Sequence, residues 1–263
     1  GELDSKPPHQ QKDYMQGGQD GQAEPYPTLT EDDRRERFRD YYAEIELIDD
    51  QFGRLVAYLK NAGLYDDTVI VLSADHGDMM GSHGLIGKYV WYEESIRIPF
   101  VVRVPGNEKR RCRTCIASQD MTPTLLGILG VSIPSTVEGE DCSSYLLTEK
   151  EDLEKASYLC ACPGRDIFLK NFARAGKDPK AFGWRGVRTQ DYTYVIELGY
   201  DVMPRPARYL YCTAADPQQM HPLALDVPEN RRLARQMEDS VIAWMNRQKD
   251  GFAENWRRGV ESI

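Results

Sequence analysis

The fold of this chain is decided by residues 68–106, which read TVIVLSADHGDMMGSHGLIGKYVWYEESIRIPFVVRVPG. The run opens with a continuous, β-branched apolar stretch at 68–73, and the absence of alternation predicts a parallel strand covered on both faces. A second apolar run at 98–104 predicts another strand of this kind. Asp75 and His76 follow the first strand directly, at the end where open α/β sheets bind their ligands.

Helical patterns flank these two strands. Upstream, Thr30 is a predicted N-cap followed by three acidic residues, and apolar residues then recur at helical spacing until Gly63. Downstream, Asp120 is predicted to cap a short helix that has Pro123 in its first turn and ends at Gly130. The order helix, strand, strand, helix predicts an α/β fold.

Short aromatic segments after about residue 150 predict a smaller α+β subdomain. Residues 183–189 and 191–196 are joined tightly enough for an antiparallel hairpin, and residues 209–211 predict a third strand. Apolar residues on one face between 228 and 248 predict a final helix.

Three segments follow from these patterns. Residues 1–30 are rich in Gln, Gly, Pro and Asp, and are expected to form an extended or partly ordered lead-in. Residues 31–150 are expected to form the α/β part, and residues 151–263 the α+β subdomain with antiparallel strands.

Composition excludes several classes of partner. A formal net charge of -9 and a pI near 5.1 argue against a nucleic-acid partner and against an anionic membrane surface, because phosphates need a basic face. No apolar run approaches the roughly 18 to 20 residues of a membrane span. The first residues lack the basic and apolar regions of a signal peptide, so the sequence assigns no compartment.

The six cysteines allow two interpretations. Cys112 and Cys115 form a CxxC pair, and Cys160 and Cys162 a CxC pair, which together have the number of thiolates that a zinc site needs. Neither pair lies in a knuckle-like Gly or His context, and free thiols are the simpler reading.

The residues after the first strand can be interpreted either as a functional site or as an ordinary loop. A carboxylate and an imidazole at Asp75 and His76 can both bind a divalent cation if the backbone bends at Gly77. The alternative is a capped loop with a solvated histidine. Lys88 follows a glycine-rich loop that can bring its ammonium to an anion, and His83 in this loop is a possible proton donor or substrate contact. A lone lysine in a loop is usually just solvated, and His83 is equally compatible with a surface residue.

Residues 68–106 resemble the sulfatase family of the alkaline-phosphatase superfamily, whose pattern joins a strand, an S-D-H/N-G turn, a G-K and a Y-E-x-x-x-R-x-P run. The resemblance extends to residues 41–68 upstream and, downstream, to residues 118–134, 184–195 and 208–229. It covers most of residues 38–248.

The resemblance implies the C-terminal part of an alkaline-phosphatase-like sandwich, with parallel strands and flanking helices. Asp75 and His76 match the family's metal ligands for one Ca²⁺ or Mg²⁺ ion, and Lys88 matches the lysine that contacts the sulfate. His83 matches no position with a family role. The implied partner is a sulfated small molecule or glycan.

Sulfatases use a formylglycine nucleophile made within a C-x-P-S-R-like motif, and this motif and the first-strand acidic ligands are not found here. The nearest lookalike begins at Cys115 but has Gln119 where the pattern has Arg, and the run from Cys162 to Arg165 has the wrong spacing. His9 resembles the family's leaving-group histidine only weakly. The chain is therefore expected to correspond to the C-terminal half of a sulfatase, with the N-terminal half as a possible partner.

This expectation leaves three functions open. The complete protein would be a sulfuric ester hydrolase, and the isolated chain would be inactive and would bind divalent metal weakly. Within the same superfamily, a phosphodiesterase or a phosphonate monoester hydrolase is the first alternative. A non-catalytic fragment, serving as a complementing half or a degenerate binding protein, is the second.

Overall fold

The computed structural model describes residue 10 and residues 28–164 and 166–261. Most of the predicted lead-in at 1–30, including His9, lies outside the described residues. The chain divides into two compact units, which are described separately. The first unit comprises residues 1–88 and 94–110, and the second comprises residues 89–93 and 111–263.

The first unit begins with the predicted long helix, α1, at Glu31–Asn61. Thr30 caps it as expected: its hydroxyl accepts from the backbone N of Asp33 at 3.2 Å, and the Asp33 carboxylate accepts from the backbone N of Thr30 at 2.8 Å. The helix ends at Asn61, just before the predicted stop at Gly63, which has a φ of +68°. Local sequence therefore fixed both ends of this helix.

The described residues of the first unit form two strands, β1 at Ile70–Ser73 and β2 at Phe100–Arg103, with a one-turn helix, α2, at Glu93–Ile96 between them. They pair antiparallel, with Ile70 opposite Arg103, so the prediction of parallel strands was wrong for this pair. A parallel pair needs a crossover connection, usually a full helix, and one helical turn does not provide it. Three of the four β1 residues are also exposed, contrary to the prediction that both faces are covered.

Two short helices open the second unit, α3 at Ser118–Ile128 and α4 at Ser143–Leu147. The predicted cap was misplaced, because Ala117 is the N-cap and Asp120 lies inside the first turn. The Asp120 carboxylate accepts from the backbone N of Ala117 at 3.1 Å and from that of Glu140 at 2.9 Å. Pro123 lies in the helix interior rather than in its first turn.

A four-stranded antiparallel sheet forms the centre of the second unit, in the order β3-β4-β5-β6. The predicted hairpin is confirmed as β4 at Gly183–Arg188 and β5 at Tyr192–Gly199, and the predicted third strand as β6 at Ala207–Cys212. The edge strand β3 at Ser157–Ala161 was not predicted.

Three helices accompany this sheet: α5 at Asp166–Arg174, α6 at Pro228–Arg247 and α7 at Phe252–Glu261. The prediction of α6 is confirmed. The core of the unit contains residues from the sheet and from these helices, among them Phe172, Ile196, Val241 and Trp256. Among the described helices of the chain, none combines the length and apolar content needed to cross a lipid bilayer.

A half-buried carboxylate joins the sheet to the two C-terminal helices. Glu238 on α6 accepts from Tyr194 Oη at 2.5 Å, Arg208 Nε at 2.8 Å and Trp256 Nε1 at 3.0 Å. Burial acts to raise the pKa of Glu238, but hydrogen bonds from Arg208, Tyr194 and Trp256 outweigh it and hold the pKa below the ordinary value of 4.5.

This carboxylate makes the stability of the second unit pH-dependent. Because the folded pKa is depressed, the stabilisation is present above about pH 4.5 and is lost as pH falls through the folded pKa. We expect the free energy of unfolding to fall with acidification more steeply in the wild type than in Glu238→Gln. Urea titrations followed by tryptophan fluorescence at a series of pH values measure this difference, and parallel slopes in the two proteins would contradict it.

Candidate functional site

The turn after β1 contains the predicted metal-ligand pair. Ser73 at the end of the strand donates its hydroxyl to the Pro99 carbonyl at 2.8 Å. Asp75 is exposed, and its Oδ1 accepts from the backbone N of His76 at 2.9 Å. This hydrogen bond, with a smaller contribution from the nearby Lys88 ammonium, holds the pKa of Asp75 below its usual value. The carboxylate is thus available as an anionic ligand.

His76 and Lys88 are brought together although twelve positions separate them. Lys88 Nζ lies 2.7 Å from His76 Nε2, and His76 Nδ1 lies 2.8 Å from the Gly77 carbonyl oxygen. An ammonium can only donate, so Nε2 is the acceptor and Nδ1–H donates to Gly77. Asp75 Oδ2 is 3.3 Å from the same Nε2. The three residues predicted from the sequence therefore converge on one point.

The loop between His76 and Lys88 is closed by its own hydrogen bonds. Met79 N donates to the Gly87 carbonyl at 2.7 Å, and Gly81 N donates to the Leu85 carbonyl at 2.7 Å. Asp78 Oδ1 accepts from the backbone N of Met80 at 2.8 Å and from that of Gly87 at 3.3 Å. These bonds fold the loop back so that Lys88 returns to the end of β1.

Sequence reasoning missed the role of Asp78. An aspartate whose side chain accepts from the backbone N two residues later is a recognised turn signal, and here it precedes a glycine-rich run. That signal could have assigned Asp78 to loop closure. The second hydrogen bond joins Asp78 to Gly87, nine positions later in the sequence. It can be recognised only when the path of the folded loop is known.

Gly77 is required for a different reason from the predicted one. Its φ is not among the positive values of this loop, whereas those of Gly81 and Gly87 are. A Cβ at Gly77 would lie 1.9 Å from the Glu94 carbonyl oxygen, and Gly77 N donates to the Ser95 carbonyl at 2.9 Å. Close approach of two backbone segments, rather than bending alone, excludes a side chain here.

His83 lies in a 3₁₀ turn at Ser82–Gly84, with a φ of 56°, and its side chain is buried. Asp75 and His76 are exposed at the strand end, so His83 has a different environment from these two residues. Its role as a substrate contact stays a prediction.

The donors at the strand end fit part of a cation site. Calcium takes about six to eight oxygen-type ligands, and Asp75 with His76 supplies two side-chain donors. His76 donates from Nδ1 to a backbone carbonyl, as metal-bound histidines commonly do, and Nε2 is the nitrogen that would bind an ion in place of the Lys88 ammonium. Within the described residues, no group of three or more His, Cys, Asp or Glu side chains could hold a metal ion. All six cysteines are free thiols.

Comparison with protein families gives two overlapping matches. The family model described as Sulfatase matches residues 5–131. The model described as N-sulphoglucosamine sulphohydrolase, C-terminal, matches residues 81–247.

Individual relatives agree with these matches. The ulvan-active sulfatase of Formosa agariphila is 30% identical over 209 residues, which are 78% of this chain and 38% of that protein. A structure solved in complex with its substrate, D-glucosamine-2-N,6-O-disulfate, is 26% identical with a TM-score of 0.65, and the match covers 83% of this chain and 42% of that one.

A third relative performs a different reaction on the same fold. The phosphonate monoester hydrolase of Silicibacter pomeroyi is 25% identical with a TM-score of 0.61, and the match covers 78% of this chain and 40% of that structure. The predicted α/β fold of the sulfatase and alkaline-phosphatase type is confirmed by these neighbours. The chain spans about two fifths of the length of each of these three relatives.

Proposed function

Because this chain belongs to the sulfatase family, we propose that it is the C-terminal half of a sulfuric ester hydrolase that acts on a sulfated sugar. The observation that carries the proposal is the convergence of Asp75, His76 and Lys88 at the end of β1. Their residue types match the family pattern, and their distances place all three side chains in one small site. The sulfated glucosamine bound to a structural relative supports the substrate class.

Each of the three side chains has a role in this proposal. Asp75 and His76 would provide part of the ligand set for a calcium or magnesium ion, which when bound polarises a sulfate oxygen. Lys88 contacts the sulfate and neutralises the negative charge that grows on its oxygens as the ester bond breaks. The hydrogen bonds of Asp78 keep the loop closed, so that Lys88 is already positioned for this contact before the substrate binds.

The nucleophile is expected to come from outside these 263 residues. The C-x-P-S-R pattern does not occur in the sequence, and the chain spans only 38% of the ulvan-active sulfatase. We therefore propose that the isolated chain releases no sulfate and binds calcium only at millimolar concentrations. Micromolar calcium affinity in titration calorimetry of the isolated chain would contradict the second statement.

The activity is tested in the protein completed with its N-terminal half, using sulfated glucosamine and a sulfate-release assay. We expect Lys88→Ala to lower kcat/KM by about 10² to 10³, because it removes a cation that stabilises charge in the transition state. Lys109→Ala, which removes an exposed lysine from the same unit, is the matched control and should leave kcat/KM unchanged. Equal activity of Lys88→Ala and the wild type would refute the assignment.

Phosphonate monoester hydrolysis is the second candidate, and the Silicibacter pomeroyi enzyme favours it. The same protein preparation separates the two functions when p-nitrophenyl sulfate is compared with phenylphosphonate monoesters. A kcat/KM higher for the phosphonate ester would replace the sulfatase proposal with this one. No turnover of either ester would favour a non-catalytic role.

A further inference from the structure

The helix α1 carries a continuous apolar stripe. At about 100° per residue, nine apolar side chains fall within an arc of about 140° on the helix surface. We call this set the α1 stripe: Phe38, Tyr41, Tyr42, Ile45, Ile48, Phe52, Leu55, Val56 and Leu59. A stripe of this width is typical of a helix that packs against a protein core.

The α1 stripe lies open in this structure. No residue of the 31-residue helix is buried, and Tyr42 and Ile48 are 65% and 61% exposed. Helices in proteins derive most of their stability from packing of their apolar face. Large contiguous apolar surfaces of this kind mark interaction sites.

Among the described residues of the first unit, only a few apolar side chains are buried: Leu29, Ile70, Met79 and Leu85. The sheet of this unit has two strands, β1 and β2, and Val101 on β2 is 60% exposed. Two-stranded sheets are at best marginally stable without further packing. The main hydrophobic cluster of the chain lies entirely in the second unit, among the described residues. The first unit therefore exposes apolar surface of the kind that a further layer of helices or strands would cover.

The share of its relatives that this chain spans indicates which polypeptide segment would cover this apolar surface. The chain matches a C-terminal family model and spans 38% of the ulvan-active sulfatase, so most of that fold corresponds to another polypeptide segment. We infer that the α1 stripe is the surface against which the N-terminal half of a sulfatase fold packs. The inference rests on the proposed function, and it adds the place where the two halves meet.

The stripe also continues to the loop of the candidate site. A cavity of about 280 Å³ is lined by Phe38 and Tyr41 of the stripe and by Asp78 and Ile86 of the loop. A half that covers the stripe therefore also contacts the loop that positions Lys88. This arrangement links docking of the N-terminal half to completion of the site.

An anionic membrane is a poor alternative occupant. The helix has nine acidic and six basic residues, so it lacks the basic polar face that attracts anionic headgroups. A second copy of this chain is the other alternative, and the oligomeric state of the isolated chain distinguishes it.

The test uses adjacent residues on opposite sides of α1. Ile48 belongs to the stripe and is 61% exposed, whereas Leu47 lies on the other side and is 63% exposed. Arginine at either position should be tolerated by the isolated chain, which far-UV circular dichroism verifies. The two variants therefore differ in the face that they alter and in little else.

The N-terminal half of the complete protein is expressed as a separate tagged polypeptide, and its Kd for the 263-residue chain is measured by biolayer interferometry without substrate. We expect a one-to-one complex. Ile48→Arg should raise the Kd about 30-fold or more, because it places a charge in a desolvated contact, and Leu47→Arg should change it less than about threefold.

Several outcomes would overturn the inference: no association, a coding sequence without such a half, equal effects of the two variants, or a dimer of the isolated chain that Ile48→Arg dissociates. Hydrolysis of a sulfate ester by the complex is measured separately from its formation. A complex that forms as expected but hydrolyses no sulfate ester would refute the proposed function and leave the docking surface in place.

Discussion

Asp250→Ala should destabilise the second unit by about 3 to 5 kcal/mol, because it leaves a buried guanidinium without its counter-ion. Arg185 on β4 is 3% exposed, and its Nε and Nη2 donate to the two carboxylate oxygens of Asp250 at 2.6 and 3.1 Å. The same guanidinium donates to the Lys180 carbonyl at 2.7 Å and the Trp184 carbonyl at 3.0 Å. The charge is therefore fixed in place and cannot turn to solvent when its partner is removed.

Asp250 has a second role, which an asparagine keeps in part. Its Oδ1 accepts from the backbone N of Phe252 at the start of α7, at 2.9 Å. Asp250→Asn retains an acceptor there, so we expect a smaller loss than for Asp250→Ala. The order of stability should be wild type, Asp250→Asn, Asp250→Ala.

Glu254→Ala is the matched control for the loss of an ion pair. Glu254 pairs with Arg258 on the neighbouring α7, and both side chains are exposed. Exposed pairs of this spacing contribute about 0.3 to 0.5 kcal/mol. All four tryptophans of the chain lie in the second unit, so urea unfolding followed by tryptophan fluorescence reports on it directly. An equal loss in Asp250→Ala and Glu254→Ala would show that the buried pair contributes no more than the exposed one.

Gly77→Ala should disrupt the turn that presents Asp75 and His76. The new Cβ would lie 1.9 Å from the Glu94 carbonyl oxygen, so one of the two backbone segments has to move. Backbone displacement of this kind costs about 1 to 3 kcal/mol, and here the neighbour is main chain that no rotamer change can relieve. The bond from Gly77 N to the Ser95 carbonyl, 2.9 Å long, should be lost with it.

Gly53→Ala provides the control for this substitution. Gly53 lies within α1, and a Cβ there meets nothing within 4 Å. Alanine in a helix interior is favoured over glycine by about 1 kcal/mol, so this variant should be as stable as the wild type or more so. Because the first unit contains no tryptophan, hydrogen exchange of the peptides around 77 and 95 is the readout. Unchanged exchange in Gly77→Ala would contradict the close approach.

Much of the candidate site was accessible from the sequence. Asp75, His76 and Lys88 belong to a local pattern of strand, turn and glycine-rich loop, and such patterns encode which residues a strand end presents. The structure then brought the three together, with Nε2 of His76 2.7 Å from Lys88 Nζ. Asp78 was missed because the bond to Gly87 depends on the folded path of the loop.

The sequence by itself determined the elements whose signals are local. The Thr30 cap, the hairpin of β4 and β5 and the helix α6 follow from spacing, turn residues and periodicity. Only the tertiary structure decided that β1 and β2 run antiparallel and that Gly77 must lie against Glu94. An apolar run specifies that a strand needs burial, but strand direction and backbone contact depend on which distant segment packs beside it.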